Sequence, residues 1–220
     1  MKAFRPLVWN PARCCIELEK LRNLLTARHI LSEREDVLPL FRKCQQLSAL
    51  CGNYHPEVNR VNRIAFEFDL FGDFACDVVV GDAERRAFLF IEFEDARRDS
   101  VFKRRGKKST RDWSPTFEHG CSQIIDWFKK LHDTEKSDDF ETRFGARTLD
   151  YAGLLVVGRD HFFEAGERLR LEWRRQRLIV DSRKIQCVTY DELLDDLTLR
   201  IERALAASPT ATRRRPSEEC

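Results

Sequence analysis

The stretch FACDVVVGDAERRAFLFIEFEDA, residues 74–96, consists of two apolar runs separated by a polar turn. Apolar runs of this length, rich in Val, Ile and Phe and bounded by turn residues, predict a hairpin closed at GDAERR. The second run, AFLFIEFE, contains Glu92 and Glu94. Carboxylates are among the side chains least often fully buried, and their burial without partners is costly. The stretch therefore predicts a buried strand whose two charges are compensated by another group.

The spacing of the acidic residues predicts where they lie on this hairpin. Side chains two residues apart on a strand point to the same face, so Glu92 and Glu94 share one face. A hairpin that is symmetric about GDAERR places Asp77 opposite Phe90 and diagonal to Glu92. Diagonal neighbours lie about 7–8 Å apart at the backbone, so the carboxylates are expected to converge. A slip of one residue in register would move Asp77 to the other face.

The charge of such a cluster indicates a bound cation. Two like charges about 4 Å apart repel by about 4 kcal/mol at an effective dielectric constant near 20. An oxygen-only ligand set favours Mg²⁺ or Mn²⁺, and this combination is typical of phosphodiester hydrolysis. Two other interpretations stay open: Asp77 accepts turn hydrogen bonds, and Glu92 and Glu94 form a salt-bridge network with nearby arginines. The arginines available for that network are Arg85, Arg86, Arg97 and Arg98.

The rest of the chain predicts an α/β fold with a central mixed sheet flanked by helices. Leu and Val residues at helical spacing predict two helices before the hairpin, and Ser32 with Glu35 has the spacing of a capping box. The second of these helices is predicted to end at Gly52. RIAFEFDLFG predicts a further strand and completes a meander. After the meander, predicted helices and strands alternate, which is typical of α/β architecture. These segments are helix EHGCSQIIDWFKKLHD, strand DYAGLLVVGR, helix RLRLEWRRQRLIVD, strand KIQCVTY and helix DELLDDLTLRIERAL.

The length of 220 residues indicates one main domain. We expect an N-terminal helical arm over residues 1–31, the domain itself over residues 32–205 and a disordered basic tail over residues 206–220. No apolar run approaches the about 20 residues of a membrane helix, and the N-terminus lacks the apolar region of a signal peptide. The eight cysteines show no zinc-binding spacing and are expected to be reduced thiols. These features predict a soluble cytoplasmic protein.

A basic run, ARRDSVFKRRGKKSTRDWSP, follows the hairpin and predicts a mobile loop that leads into the next helix. The net charge of the whole chain is only +2, so nucleic-acid binding has to be argued from a local patch of this kind. A solvated charge run is the alternative interpretation. The candidate DNA contacts in the loop are Lys103, Arg104, Arg105, Lys107 and Lys108.

These residues carry a resemblance to known families. Asp77, followed after a turn by Glu92 and Glu94, resembles the D…E-x-K signature of the PD-(D/E)XK nuclease superfamily. The blocks FDLFGDFACDVVV, FIEFEDA, HGCSQIIDW, YAGLLVVGR and VTYDELL together resemble the nuclease domain of the Shedu anti-phage defence family. The resemblance extends from about Ser32 to Leu197, which is most of the chain.

The resemblance implies a restriction-endonuclease-like core and a bacterial antiviral DNA endonuclease. Such an enzyme is metal-dependent, usually forms a homo-oligomer and acts on phage or invading DNA. By that pattern Asp77 and Glu92 ligate Mg²⁺ or Mn²⁺ and Glu94 occupies the third catalytic position. Gln123, with Trp127 one helical turn later, resembles the glutamine-aromatic helix motif that helps to hold DNA in several of these nucleases.

The chain departs from the superfamily pattern at Glu94, where a Lys is usual. The extra carboxylate binds metal or orients water in some E-x-E nucleases, and a Lys from elsewhere, such as Lys103, is another solution. Glu35 lies where the superfamily often has an acidic residue on its opening helix, with Glu33 as a rival. His119 is a further candidate, as a general base.

Each of these residues also has a purely structural interpretation. Glu35 fits a helix cap, Trp127 a core residue, Gln123 a polar helix face and His119 a surface position. Two other functions stay open beside the nuclease. One is a nucleic-acid-binding or sensing module on a nuclease fold that does not cleave, and the other is an interaction protein whose acidic strand belongs to an ion-pair network.

Overall fold

A computed structural model describes residues 3–164 and 166–206 of the chain. The strands are β1 (Arg5–Pro6), β2 (Arg63–Leu70), β3 (Phe74–Asp82), β4 (Ala87–Phe93), β5 (Phe102–Lys103), β6 (Asp112–Trp113), β7 (Asp150–Val156), β8 (Ile179–Val180) and β9 (Arg183–Val188). The α-helices are α1 (Pro11–Ala27), α2 (Leu38–Lys43), α3 (Gln45–Leu50), α4 (Pro115–Thr134), α5 (Asp138–Phe144), α6 (Glu167–Arg175) and α7 (Tyr190–Ala206). A π-helical turn (Glu33–Val37) and two 3₁₀ turns (Cys51–Tyr54 and Asp160–Phe162) complete the elements of this part of the chain.

The main sheet has the strand order β1-β2-β3-β4-β7-β9-β8. β1 to β4 form an antiparallel meander, β4, β7 and β9 run parallel, and β8 returns antiparallel at the edge. Every residue of β4 is buried, as expected for a strand covered on both faces. The predicted α/β fold with a central mixed sheet flanked by helices is therefore confirmed.

Helices cover both faces of the sheet. On one face, Val78, Leu89 and Ile91 pack with α1, α3 and α7. On the other face, Val79 and Phe90 pack with the apolar sides of α4 and α5. Because neighbouring residues of β3 and β4 enter opposite cores, the alternation of the strands decides which helix each side chain meets. The acidic residues of β4 therefore lie on the face covered by α4.

The register of the β3–β4 hairpin differs from the symmetric one. Val79 pairs with Phe90 and Val78 with Ile91, so one step further along the same register Asp77 lies opposite Glu92. The prediction that Asp77 lies opposite Phe90 was wrong by two residues. The strands stay paired up to Asp82 and Ala87, which leaves a turn of only residues 83–86. Asp77 and Glu92 are consequently direct neighbours.

The segment before the meander is broken into short pieces. One helix from Ser32 to Gly52 was expected, but the chain forms the π turn, α2, α3 and a 3₁₀ turn in succession. The Ser32 hydroxyl accepts from the N–H of Glu35 at 3.4 Å, as a cap does. The reciprocal bond of the capping box comes from Asp36, whose Oδ2 accepts from the N–H of Ser32 at 2.9 Å. Asp36 therefore fills the role that the spacing assigned to Glu35.

Four other segments also differ from the sequence prediction. The basic run predicted as a loop contains the paired strands β5 and β6. The basic helix ends at Arg175, and the following LIVD segment contributes β8. Helix α5 and the short strand β1 were not predicted.

The described cysteines are all unpaired, and no described helix is long and apolar enough to cross a membrane. Cys220 and the predicted tail after Ala206 lie outside the described residues.

Candidate functional site

The candidate site lies at the carboxyl end of β4, in the middle of the sheet. Glu92 is the second-last residue of β4, and Glu94 is the first residue after the strand. Each of the two residues is only 6% exposed. The amide Nε2 of Gln123 on α4 donates a hydrogen bond to Oε1 of Glu92. This contact joins helix and strand at the carboxylate, so Gln123 holds Glu92 in one orientation.

Asp77 reaches the same site from β3. Its Oδ2 accepts a hydrogen bond from the main-chain N–H of Phe93 at 2.9 Å. Phe93 stands between the two glutamates in the sequence, so this bond anchors the Asp77 carboxylate beside the E-F-E segment. The structure therefore brings together the three acidic residues that the sequence singled out.

The main chain of Glu94 is fixed, whereas its carboxylate is not. Its N–H donates to the carbonyl of Val156 at 2.9 Å, and its carbonyl accepts from the Tyr190 hydroxyl at 2.8 Å. Its Oε1 is buried and has no hydrogen-bond partner among the described residues. A buried acceptor without a partner costs about 1–3 kcal/mol, and more when it is charged. Such an oxygen is suited to receive a cation or a proton.

The close packing of α4 against Glu94 depends on a glycine. A Cβ atom added at Gly120 would lie 3.1 Å from Cγ and 3.3 Å from Oε1 of Glu94. It would also lie 2.5 Å from a methyl group of Leu155 on β7. A larger residue at position 120 would have to displace the side chains of Leu155 and Glu94.

A fourth carboxylate, Glu33, comes from the π turn. The N–H of Glu33 donates to Oδ1 of Asp95 at 2.9 Å. Leu31 and Ala96 exchange two main-chain hydrogen bonds of 3.0 and 3.1 Å and hold the turn against the end of β4. Glu35 is exposed, whereas the charge of Glu33, together with burial, raises the pKa values of Asp77, Glu92 and Glu94, so of the two rival residues Glu33 lies at the site. The capping spacing drew attention to Glu35, and the sequence contained no signal for a π turn.

The pKa values of the four acidic side chains at the site are all raised. Burial raises the pKa of Glu94 to about 8, with Glu33 as the next cause. Burial followed by the charge of Asp77 raises the pKa of Glu92, and burial also raises the pKa of Asp77. Burial and the neighbouring Asp95 raise the pKa of Glu33. Every shift is upward because each carboxylate has lost water and faces other carboxylates.

No described lysine or arginine compensates this charge directly. Arg85 pairs with Glu57 and Arg97 with Asp95, and among the described residues neither Glu92 nor Glu94 takes part in a salt bridge. Arg42 lies near enough to lower the pKa of Asp77 somewhat, but its salt bridge is to Glu67. The interpretation of the acidic strand as an ion-pair network therefore does not account for these two glutamates.

The oxygen donors of the four acidic residues are of the kind that binds a hard divalent cation. All donors are carboxylate oxygens, and Oε1 of Glu94 is buried with no partner. In residues 3–164 and 166–206, no three His, Cys, Asp or Glu side chains stand close enough together to enclose a metal ion by themselves. An ion here would complete its coordination with water, main-chain oxygens or a phosphate group, which is the usual way in which Mg²⁺ is bound.

The remaining candidates lie around this centre or away from it. His119 is exposed on the first turns of α4 and is close enough to Glu33 to lower its pKa. Trp127 is fully buried in the core on the α4 face, so its ring is not available to stack on DNA. Lys103 lies 3.9 Å from Asp99, and no salt bridge joins it to Glu94 in the described part of the chain.

The basic run projects its charges into solvent. Lys103 to Lys108 are exposed, but Arg104 pairs with Glu164 at 3.3 Å and Lys108 with Asp112 at 3.5 Å. Arg105 and Lys107 have no salt bridge within the described part of the chain. The base of the run is fixed by Arg111, a residue that the sequence analysis did not single out.

Arg111 is 4% exposed and forms a bidentate salt bridge with Glu167 of α6. It also donates to the carbonyl of Phe162 at 2.9 Å and to that of Arg98 at 3.2 Å. One buried guanidinium thus ties both ends of the basic run to α6.

The fold and the site together define a mixed α/β protein with an acidic, partly dehydrated centre at the end of its central strand. The family model for "Shedu protein SduA, C-terminal" matches residues 31–194, and the chain belongs to the Shedu family. The matched range begins at Leu31, whose main chain pairs with Ala96, and ends within α7. It therefore contains all four carboxylates of the site. Shedu is a family of anti-phage defence proteins. A search among curated proteins found no match to the chain.

Proposed function

We propose that this protein is a divalent-metal-dependent DNA endonuclease of anti-phage defence, built on a PD-(D/E)XK-like core. One observation carries the proposal. Four acidic residues converge on the end of β4 with raised pKa values, and no described basic residue forms a salt bridge with Glu92 or Glu94. The four residues are Asp77, Glu92, Glu94 and Glu33. Strongly perturbed carboxylates that lack a structural partner are characteristic of functional sites. The family membership supports a role in defence against phage DNA.

In this proposal Asp77, Glu92 and Glu94 hold Mg²⁺ or Mn²⁺. When bound, the cation lowers the pKa of a water molecule and neutralises charge on the phosphodiester. Gln123 fixes the rotamer of Glu92, and the N–H of Phe93 fixes that of Asp77. Glu94 takes the position that is usually Lys and offers an oxygen that nothing else in the described protein engages. Glu33 adds a further negative charge from the π turn.

The exposed basic run is proposed as the DNA contact. Arg105 and Lys107 offer free charges, and Arg111 holds the run beside α4 and α6. Phosphate contacts of this kind position a duplex without reading its sequence. We further propose that the protein acts in the bacterial cytoplasm as a homo-oligomer, on the strength of the family resemblance.

The test is a cleavage assay with supercoiled plasmid and linear DNA, in Mg²⁺, in Mn²⁺ and in EDTA. We expect cleavage with a divalent ion and a loss of at least about a hundredfold for Asp77→Asn or Glu92→Gln, because each removes a ligand. Glu84→Gln is the matched control, since Glu84 is exposed in the turn of the same hairpin. DNA binding without cleavage in any metal would instead assign the protein to the class of non-cleaving sensing modules.

A further inference from the structure

A cavity of about 650 Å³ lies at the other end of the β3–β4 hairpin from the carboxylates. Arg60 marks its position, because the N–H of Arg60 donates at 3.0 Å to Asp82, the last residue of β3. Ala87 and Glu92 are five residue steps apart along β4, a distance of about 17 Å, so this cavity is not part of the acidic site. Its lining residues are Trp9, Ala49, Leu50, Asn53, Val58, Asn59, Arg60, Val61, Arg200, Arg203 and Ala204.

Three arginines, and no Asp or Glu, are among the residues that line this cavity. Arg60, Arg200 and Arg203 line it, and none of them forms a salt bridge within the described residues. Arg200 is preoriented, since it donates to the carbonyl of Asn53 at 2.9 Å and lies over the Tyr54 ring at 5.0 Å. Most of the other described arginines are paired with Asp or Glu, so three unpaired ones at one cavity give its lining an excess of positive charge.

The floor of the cavity is apolar and carries an aromatic ring. Ala49, Leu50, Val58 and Val61 form the floor, and Trp9 is only partly buried beside them. Such a surface accommodates a planar ring, and a tryptophan face favours stacking.

Two amide side chains complete the set of possible contacts. The Nδ2 of Asn53 donates to the carbonyl of Leu50 at 2.9 Å, which leaves its Oδ1 as an acceptor. Asn59 brings a second amide to the wall. Amides of this kind recognise the edge of a heterocyclic base by paired donors and acceptors.

We propose that this cavity binds a free nucleoside polyphosphate, with the base on Trp9 and the apolar floor and the phosphates between the three arginines. Arginine suits this ligand because its planar fork binds phosphate oxygens in pairs. The volume lies within the range of about 300–1,000 Å³ typical of small-molecule sites. The opposite charge of the carboxylate centre means that the two sites take different ligands, and this inference does not depend on the nuclease proposal.

The test is calorimetric titration of the full-length protein with ATP, GTP, CTP and UTP in EDTA, so that binding is measured without any divalent ion. We expect at least one of the four to bind saturably with one site per chain. Arg60→Glu with Arg203→Glu should weaken that binding about tenfold or more, the loss expected for one charge-assisted contact. Both side chains are exposed and unpaired in the described chain, so the melting temperature should stay unchanged.

Arg177→Glu is the matched control, because Arg177 is an exposed arginine on the other face of the sheet. We expect it to bind the nucleotide like the unmodified protein, and we expect the isolated nucleoside and inorganic triphosphate each to bind more weakly than the intact nucleotide. Absence of saturable binding by all four nucleotides, or equal losses in the Arg177 and Arg60/Arg203 variants, would overturn the proposal. Binding of a short single-stranded oligonucleotide at the same arginines with higher affinity would overturn the assignment to a free nucleotide.

Discussion

Gln123 of α4 donates a hydrogen bond to Glu92 of β4, and this is the direct polar link between that helix and the acidic residues of the strand. Glu92 is buried, and its pKa is raised first by burial and then by Asp77 and Glu94, while the Gln123 amide lowers it. The amide thus offsets part of the cost of a buried carboxylate and at the same time fixes its orientation. Stability and ligand geometry depend on the same contact.

We therefore predict that Gln123→Ala lowers the free energy of unfolding by about 1–3 kcal/mol at neutral pH, because it leaves a buried carboxyl oxygen of Glu92 without its hydrogen-bond donor. Urea denaturation in EDTA measures this change. Ser122→Ala is the control, since Ser122 is the exposed neighbour on the same helix. A Gln123→Ala protein as stable as the Ser122→Ala protein would show that the amide does not support Glu92.

The pKa of Glu94 gives the metal-free protein a predictable pH dependence. Its folded-state pKa of about 8 lies above the ordinary value of 4.5, so the folded protein binds the proton more tightly than the unfolded chain. The stability associated with this proton is complete below pH 4.5 and is lost as the pH rises towards 8, by at most about 1.4 kcal/mol per pH unit.

Glu94→Gln removes this titration. We predict that denaturation curves in EDTA from pH 5 to 9 fall less steeply for Glu94→Gln than for the unmodified protein, and that the variant is the more stable of the two at pH 9. Glu84→Gln should follow the unmodified protein, because Glu84 is exposed. Parallel curves for Glu94→Gln and the unmodified chain would contradict the raised pKa.

Glu33 and Glu35 form a matched pair for testing which acidic residue of the opening turn belongs to the site. Glu33→Gln removes a like charge, so in EDTA at pH 8 we expect its melting temperature to rise by about 2–4 °C, equivalent to about 1 kcal/mol. Divalent ions should then stabilise it less than they stabilise the unmodified protein. Glu35→Gln should change neither quantity, and the reverse ranking would place Glu35 at the site.

Much of this arrangement could be predicted from the sequence because it is local. The apolar runs around GDAERR predict the hairpin, and their alternation places Glu92 and Glu94 on one face. The register could not be predicted, because distant groups define the turn. Asp82 accepts from the N–H of Arg60, 22 positions away, and Asn62 accepts from that of Ala83, 21 positions away.

The roles of Glu33 and Arg111 could not be assigned from the sequence for a related reason. Glu33 reaches the site through a π turn that is held by Asp95, a residue 62 positions later. Arg111 was one cation in a basic run, and its burial depends on Glu167, 56 positions away. Neither partner is visible in local spacing, so only tertiary structure separates these two residues from their exposed neighbours.

Arg111 should be critical for stability. Arg111→Met leaves Glu167 buried without its partner, and loss of one member of a buried ion pair costs about 3–5 kcal/mol. We predict that the double variant Arg111→Met with Glu167→Leu recovers a large part of this loss, since no unpaired charge remains. Urea denaturation of both single variants and the double variant measures the coupling, and additive losses would show that the two side chains act independently.

The free cations of the basic run should carry its DNA binding. Arg105 and Lys107 have no salt bridge in the described chain, whereas Arg104 and Lys108 are already paired, so the first two are the more available to phosphates. Each phosphate contact contributes about 0.9 to the slope of log affinity against log salt concentration for duplex DNA. We predict that Arg105→Ala with Lys107→Ala weakens binding at low salt and reduces this slope by about 1–2, measured by fluorescence anisotropy in EDTA to prevent cleavage.

Lys20→Ala, at an exposed position on α1, is the control and should leave the slope unchanged. An unaltered slope in the double variant would mean that the run is a solvated surface and that the DNA lies elsewhere.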